Sequence, residues 1–162
     1  MDRIKRPDQD DNVKSGRTLT GYWLPPALWM GFIFWLSTDQ FSATTTGSTL
    51  ERLLELIGVA LSPGTLIWVH FGLRKLAHLT GYAILALLLF RALRSGSKLR
   101  WNFRWAVGAF VILGAYALLD EYHQSFTAHR TGSLIDSVID MVGGLAALAG
   151  RRLSLNSRRA QD

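Results

Sequence analysis

Lys75, His78 and Tyr82 are separated by three and four positions, the spacing that sets side chains on one face of a helix. At about 1.5 Å of rise per residue they form a ladder roughly 10 Å deep. It carries an ammonium that attracts anions, and an imidazole and a phenol that exchange protons. Further along, Tyr116 to Gly144 reads YALLDEYHQSFTAHRTGSLIDSVIDMVGG and gathers Asp120, Glu121, Gln124, Arg130, Asp136 and Asp140 between two apolar runs. Asp136 and Asp140, four positions apart, make a second ladder. Carboxylates this close to hydrocarbon are costly. If the runs span a membrane, these groups must face one another, a cavity or the interface, and they stand as functional candidates. Asp120 or Glu121 as base with His78 as acid would support proton-transfer chemistry. Arg130 offers a planar fork to a phosphate, and Arg74 and Lys75 add positive charge for the same headgroup.

The elements that position these residues follow from the apolar blocks. The chain has 162 residues, 49% of them hydrophobic, which suits one domain with one core. Several blocks approach the roughly 20 apolar residues that a bilayer-crossing helix needs. The first is Leu19 to Leu36, which ends at Ser37, Thr38 and Asp39, with Pro25 and Pro26 expected in its opening turns. An uncleaved anchor fits it better than a signal peptide, because no small-x-small cleavage site closely follows. Leu50, Leu53, Leu54, Leu56, Ile57 and Leu61 then recur at near-helical spacing opposite Glu51, Arg52 and Glu55. They predict an amphipathic helix on the membrane surface or capping the bundle. Ser62 and Pro63 form an N-cap and first helical position for a long helix through Lys75 and His78 to Leu93, with Gly72 as a bend. Two further spans are expected at Phe103 to Leu119 and Leu134 to Ala149. In the last, Gly143 and Gly144 allow close helix approach.

The fold class read from this pattern is all-α: a polytopic membrane bundle of four transmembrane helices, with an extracytoplasmic amphipathic helix between the first and second. Residues 1–18 are expected to be a disordered cytoplasmic tail, 19–150 the four-helix domain, and 151–162 a basic cytoplasmic tail. Orientation follows from charge. Of the 18 lysines and arginines, all but Arg52, Arg74, Lys75 and Arg130 fall on one side of this topology. The positive-inside rule puts that side, with both termini, in the cytoplasm. The Lys75 and Asp136 ladders then start at one depth, which predicts that Lys75 pairs with Asp136 and that Asp140 lies one turn deeper, near Tyr82. A fifth span over residues 56–71 would expel the Arg91 to Arg104 cluster, so it is rejected.

The same charge distribution argues against nucleic acid as a partner. The net charge is +6, but the basic residues flank apolar segments instead of alternating with aromatics along a stripe. With no cysteine, disulfides, thiolate metal sites and cysteine nucleophiles are excluded. No Gly-x-Ser-x-Gly elbow or phosphate-cradling glycine loop occurs. His70, His123 and His129 lack metal-ligand spacing and read as interfacial. Neither a metal nor a cofactor is expected.

Arg74-Lys75-x-x-His78-x-x-x-Tyr82, Asp120-Glu121-x-x-Gln124-x-Phe126-x-x-x-Arg130-x-x-Ser133-x-x-Asp136, and Gly144 together resemble the VanZ-like family of bacterial membrane proteins, over most of residues 20–150. Asp140 stands where that family's pattern is expected to carry Asn. The resemblance implies a small multi-pass protein of the bacterial plasma membrane. It also implies a link to resistance against teicoplanin, a glycopeptide that targets lipid-linked wall precursors.

Combined with the residues above, the expected function is binding or translocation of an anionic envelope lipid or lipid-linked precursor on the extracytoplasmic side. The expected ligand contacts are Arg74, Lys75, His78, Tyr82, Asp120, Glu121, Gln124, Arg130, Asp136 and Asp140. The alternative is an intramembrane enzyme using His78, Asp120 and Glu121 on a lipid-linked substrate. A purely structural or accessory protein is the third reading, in which Lys75 and a carboxylate pair only so that the helices can pack. The sequence carries no indication of oligomeric state.

Overall fold

The structure is a computed structural model and describes residues 7–38, 43–126 and 134–159, with side chains described at 20–38, 46–126 and 134–157. Its elements are α1 (Pro7–Leu36), α2 (Ala43–Leu56), α3 (Pro63–Arg94), α4 (Phe103–Gln124) and α5 (Leu134–Arg159), and the described residues contain no strand. Ser62 caps α3, its side chain accepting from the Thr65 amide at 3.2 Å, with Pro63 at the first helical position. Asn102 caps α4 in the same way, accepting from the Arg104 amide at 2.9 Å. Among the described residues, α3 and α4 are the helices long and apolar enough to cross a bilayer.

α3 is the central helix, packed against each of the other four and most extensively against α5. The core joins Tyr82, Leu85 and Leu89 of α3 to Leu113 and Ala117 of α4 and Leu148 of α5. Close approach of α5 to α3 and to α4 depends on two glycines, Gly143 and Gly144 respectively. A Cβ on Gly143 would run into the backbone of Leu79, and one on Gly144 would lie 2.7 Å from Leu113 Cδ1. The first obstacle is main chain and cannot rotate away. Gly143→Ala is therefore expected to push α5 off α3 at a cost of about 1–3 kcal/mol, read as a clear loss of monodisperse protein in detergent, while Gly150→Ala, with open space around it, leaves the yield unchanged.

Several boundaries differ from the sequence expectation. α1 begins at Pro7, inside the segment read as a tail, so Pro25 and Pro26 lie in the helix interior. Each lacks an amide and leaves a carbonyl one turn earlier without its helical donor. α2 starts earlier than the leucine repeat and stops at Leu56, because Gly58 turns the chain at φ 77°. Ile57 and Leu61 are therefore not on the amphipathic helix. α4 continues past Leu119 to Gln124, and α5 past Ala149 to Arg159. Extension of α4 has a direct consequence for the polar residues, since Asp120 and Gln124 now sit one turn apart on one helix face.

Candidate functional site

At one end of the bundle, α3, α4 and α5 and the residue just beyond α1 turn polar side chains toward one another. Asp120 on α4 is buried, 2% exposed, and its Oδ2 collects donors from three elements. Ser37, just beyond α1, donates its hydroxyl at 2.9 Å; Gln124 donates its side-chain amide at 2.9 Å; the Tyr82 hydroxyl of α3 lies at 3.3 Å. Gln124 Nε2 also reaches Ser37 Oγ at 3.4 Å. The second oxygen, Oδ1, has no hydrogen-bond partner among the described residues.

α3 and α5 meet rung against rung. Lys75 Nζ pairs with Asp136 Oδ1 and lies 5.2 Å from the centre of the Phe71 ring. One turn along, His78 Nδ1 approaches Oδ1 of the fully buried Asp140 at 3.3 Å, a contact without hydrogen-bond alignment. The His78 ring stacks on Tyr82 at a centroid distance of 6.5 Å and an interplanar angle of 12°. A further turn along, Tyr82 reaches Asp120. These contacts form a column running Lys75/Asp136, His78/Asp140, Tyr82/Asp120, in which each basic or phenolic group of α3 meets a carboxylate. A buried series of imidazole, phenol and carboxylates can hold and pass a proton.

A groove of about 470 Å³ opens beside this column, between α1, α2 and α3. Its walls are apolar, built from Trp29, Phe32, Leu36, Leu50, Leu73 and Ile84, and Ser37, His78 and Tyr82 face it from the column. Phe32, Leu73 and Ile84 are 41%, 49% and 37% exposed, so the groove opens sideways to the surroundings of the bundle. Arg74 lines it as well and forms no ion pair among the described residues. Two polar contacts fix its frame: Trp29 Nε1 donates to the Gly81 carbonyl at 2.9 Å, and Thr46 Oγ1 lies 2.7 Å from His70 Nε2.

The sequence-predicted residues thus divide. Lys75, His78, Tyr82, Asp120, Gln124, Asp136 and Asp140 are brought together, and Arg74 borders the adjacent groove. Lys75 pairs with Asp136, the partner expected from the matching depth of the two ladders, and its charge is therefore taken up there and is not free for a headgroup. Glu121, beside Asp120 on α4, is also buried, 4% exposed. Arg130, Ser133 and His129 lie outside the described residues. Ser37 and the groove itself were missed. A serine at the end of an apolar run reads as an interface residue, and its burial comes only from the packing of α1 against α3 and α4. Among the described residues no set of three or more His, Asp and Glu side chains is arranged to hold a metal ion.

Among the described residues the bundle is all-helical with charges turned inward and has two helices able to cross a bilayer, features of the membrane-protein class. The family model described as VanZ/LLP1 matches residues 22–153, and the chain belongs to the VanZ/LLP1 family. No curated protein matches it, and no solved structure does.

Proposed function

We propose that this protein binds, and passes along its groove, an anionic envelope lipid or lipid-linked precursor in the bacterial plasma membrane. The observation that carries this reading is the pairing of an apolar, laterally open groove with Arg74, a guanidinium that forms no ion pair among the described residues. Hydrocarbon tails occupy the walls and the headgroup meets Arg74, which is suited to a phosphate or pyrophosphate oxygen pair. Lys75 and Asp136 act as the strut that holds α3 to α5, and His78, Tyr82, Asp120 and Asp140 carry protons. A protein that holds a wall precursor in this way would also alter susceptibility to glycopeptides such as teicoplanin.

This reading needs four spans, α1, α3, α4 and α5, with α2 and the polar column on the extracytoplasmic side and both termini in the cytoplasm. Support comes from the asymmetry of the basic residues. Reporter tags at positions 10, 97 and 158 are expected to read cytoplasmic, and tags at 45 and 128 external. A cytoplasmic signal at 128 inverts the topology.

One observation favours a second reading, an intramembrane enzyme. The unpartnered Oδ1 of Asp120 lies in the same column as Tyr82 and His78, so a base and an acid are within one cluster. Mass spectrometry of lipids carried through purification in mild detergent separates the two. The binding reading predicts anionic lipid retained unaltered, whereas a chemically converted lipid that accumulates with time requires the enzyme.

A further inference from the structure

At the opposite end of α3 a second, smaller cavity of about 310 Å³ lies between α1, α3 and α5. Arg91 and Arg94 come from the last turn of α3 and Arg151 from α5, with Tyr22 of α1, Leu87, Phe90 and Gly96 completing the wall. Arg91 lies 5.3 Å from the centre of the Tyr22 ring, which fixes its approach. No described carboxylate is within ion-pair distance of any of the three, since the ion pairs among described residues are Lys75 with Asp136 and His78 with Asp140.

Basic residues that serve only to orient a membrane protein need not converge. Lys98, Arg100 and Arg104 follow that pattern, exposed around the α3 to α4 connection and outside this cavity. Three guanidiniums around one concavity repel one another, and an anion seated among them removes that repulsion and gains charge-assisted hydrogen bonds. Leu87, 40% exposed, continues the cavity wall onto the apolar flank of α3, where an acyl chain would run. Basic pockets between helices on the cytoplasmic side are sites for lipid phosphates.

We infer that Arg91, Arg94 and Arg151 form a phosphate-binding site at this end of the bundle, separate from the groove beside Arg74, for the phosphodiester of an anionic phospholipid or free phosphate. The inference is independent of the function proposed for that groove.

The test uses the full chain in nanodiscs or mild detergent, titrated with phosphatidylglycerol, with phosphatidylcholine, and with inorganic phosphate. Arg91→Gln, Arg94→Gln and Arg151→Gln are combined in one variant, and Lys98→Gln, Arg100→Gln and Arg104→Gln in another that removes the same charge. The pocket variant is expected to lose at least about tenfold in phosphatidylglycerol affinity, and the connection variant less than about threefold. Phosphatidylglycerol binding that millimolar inorganic phosphate leaves intact identifies a lipid headgroup as the source. Saturable inorganic phosphate binding lost in the pocket variant alone identifies free phosphate. Equal losses in both variants, or none in the pocket variant, overturn the site. If the pocket variant fails to insert, a phosphatidylglycerol analogue with a photoreactive headgroup on the unaltered protein decides: labelling of residues 90–96 and the Arg151 turn supports the site, and labelling confined to residues 98–104 overturns it.

Discussion

Lys75→Met and Asp136→Leu are each expected to lower the yield of folded protein severalfold, and the double substitution to restore it. Either single change leaves one charge in place without its partner at the contact of α3 and α5. Breaking a buried pair costs about 3–5 kcal/mol. The lower end applies here, because the side chains of Lys75 and Asp136 are 23% and 22% exposed and keep some hydration. Replacing both by apolar groups removes the uncompensated charge and is close to neutral. Since Lys75 is already neutralised by Asp136, the double variant should also retain lipid like the parent. Recovered yield with lost lipid would return Lys75 to the headgroup site, and a double variant no better than the worse single would mean the two residues do not act as a pair.

A second large effect is expected at Asp120, where Leu and Asn should separate packing from function. Asp120→Leu removes the acceptor shared by three donors, from Ser37, Tyr82 and Gln124. Hydrogen bonds between membrane helices average about 0.6 kcal/mol, and an orphaned buried donor adds about 1–3 kcal/mol. Substantial loss of folded protein follows. Asp120→Asn keeps the shape and one oxygen acceptor, so it should insert and stay folded and should still retain lipid. What it loses is the ionisable group, and with it the envelope phenotype that the parent chain restores in a deletion strain. Glu121→Gln is expected to behave likewise. Loss of protein level in Asp120→Asn equal to that in Asp120→Leu would assign the carboxylate to packing alone, and full complementation would remove it from the mechanism.

Much of the column was legible because helical spacing is a local property. Lys75, His78 and Tyr82 lie on one face whatever surrounds them, and Asp136 and Asp140 do the same. The topology argument then brought the two ladders to one depth, where the structure pairs Lys75 with Asp136. Ser62 and Pro63 marked the start of α3 for an equally local reason. The long-range features were not legible. Ser37 enters the site only because α1 packs so that its end meets Asp120, 83 residues away. The groove beside Arg74 arises from the placement of three helices, and no periodicity in the sequence encodes an empty volume. Helix ends were misjudged where hydropathy was used as a proxy for helicity. α4 and α5 continue into polar sequence because backbone hydrogen bonding does not stop where hydrocarbon does. Gly58 ended α2 despite the leucine repeat around it.

The central claim is occupancy of the groove by an anionic lipid, and filling the groove tests it most directly. Ala77 lines the groove and is exposed, so Ala77→Trp can obstruct it without disturbing the core, whereas Leu119→Trp, at a position 61% exposed and outside the groove lining, serves as the control. The measurement is native mass spectrometry of the parent and both variants, purified side by side in mild detergent. The account predicts a stoichiometric anionic lipid on the parent and on Leu119→Trp, and at least about tenfold less on Ala77→Trp, the loss expected when roughly 1.4 kcal/mol or more of contact is removed. Equal retention by all three proteins, or no preference of the parent for anionic over zwitterionic lipid, would contradict it.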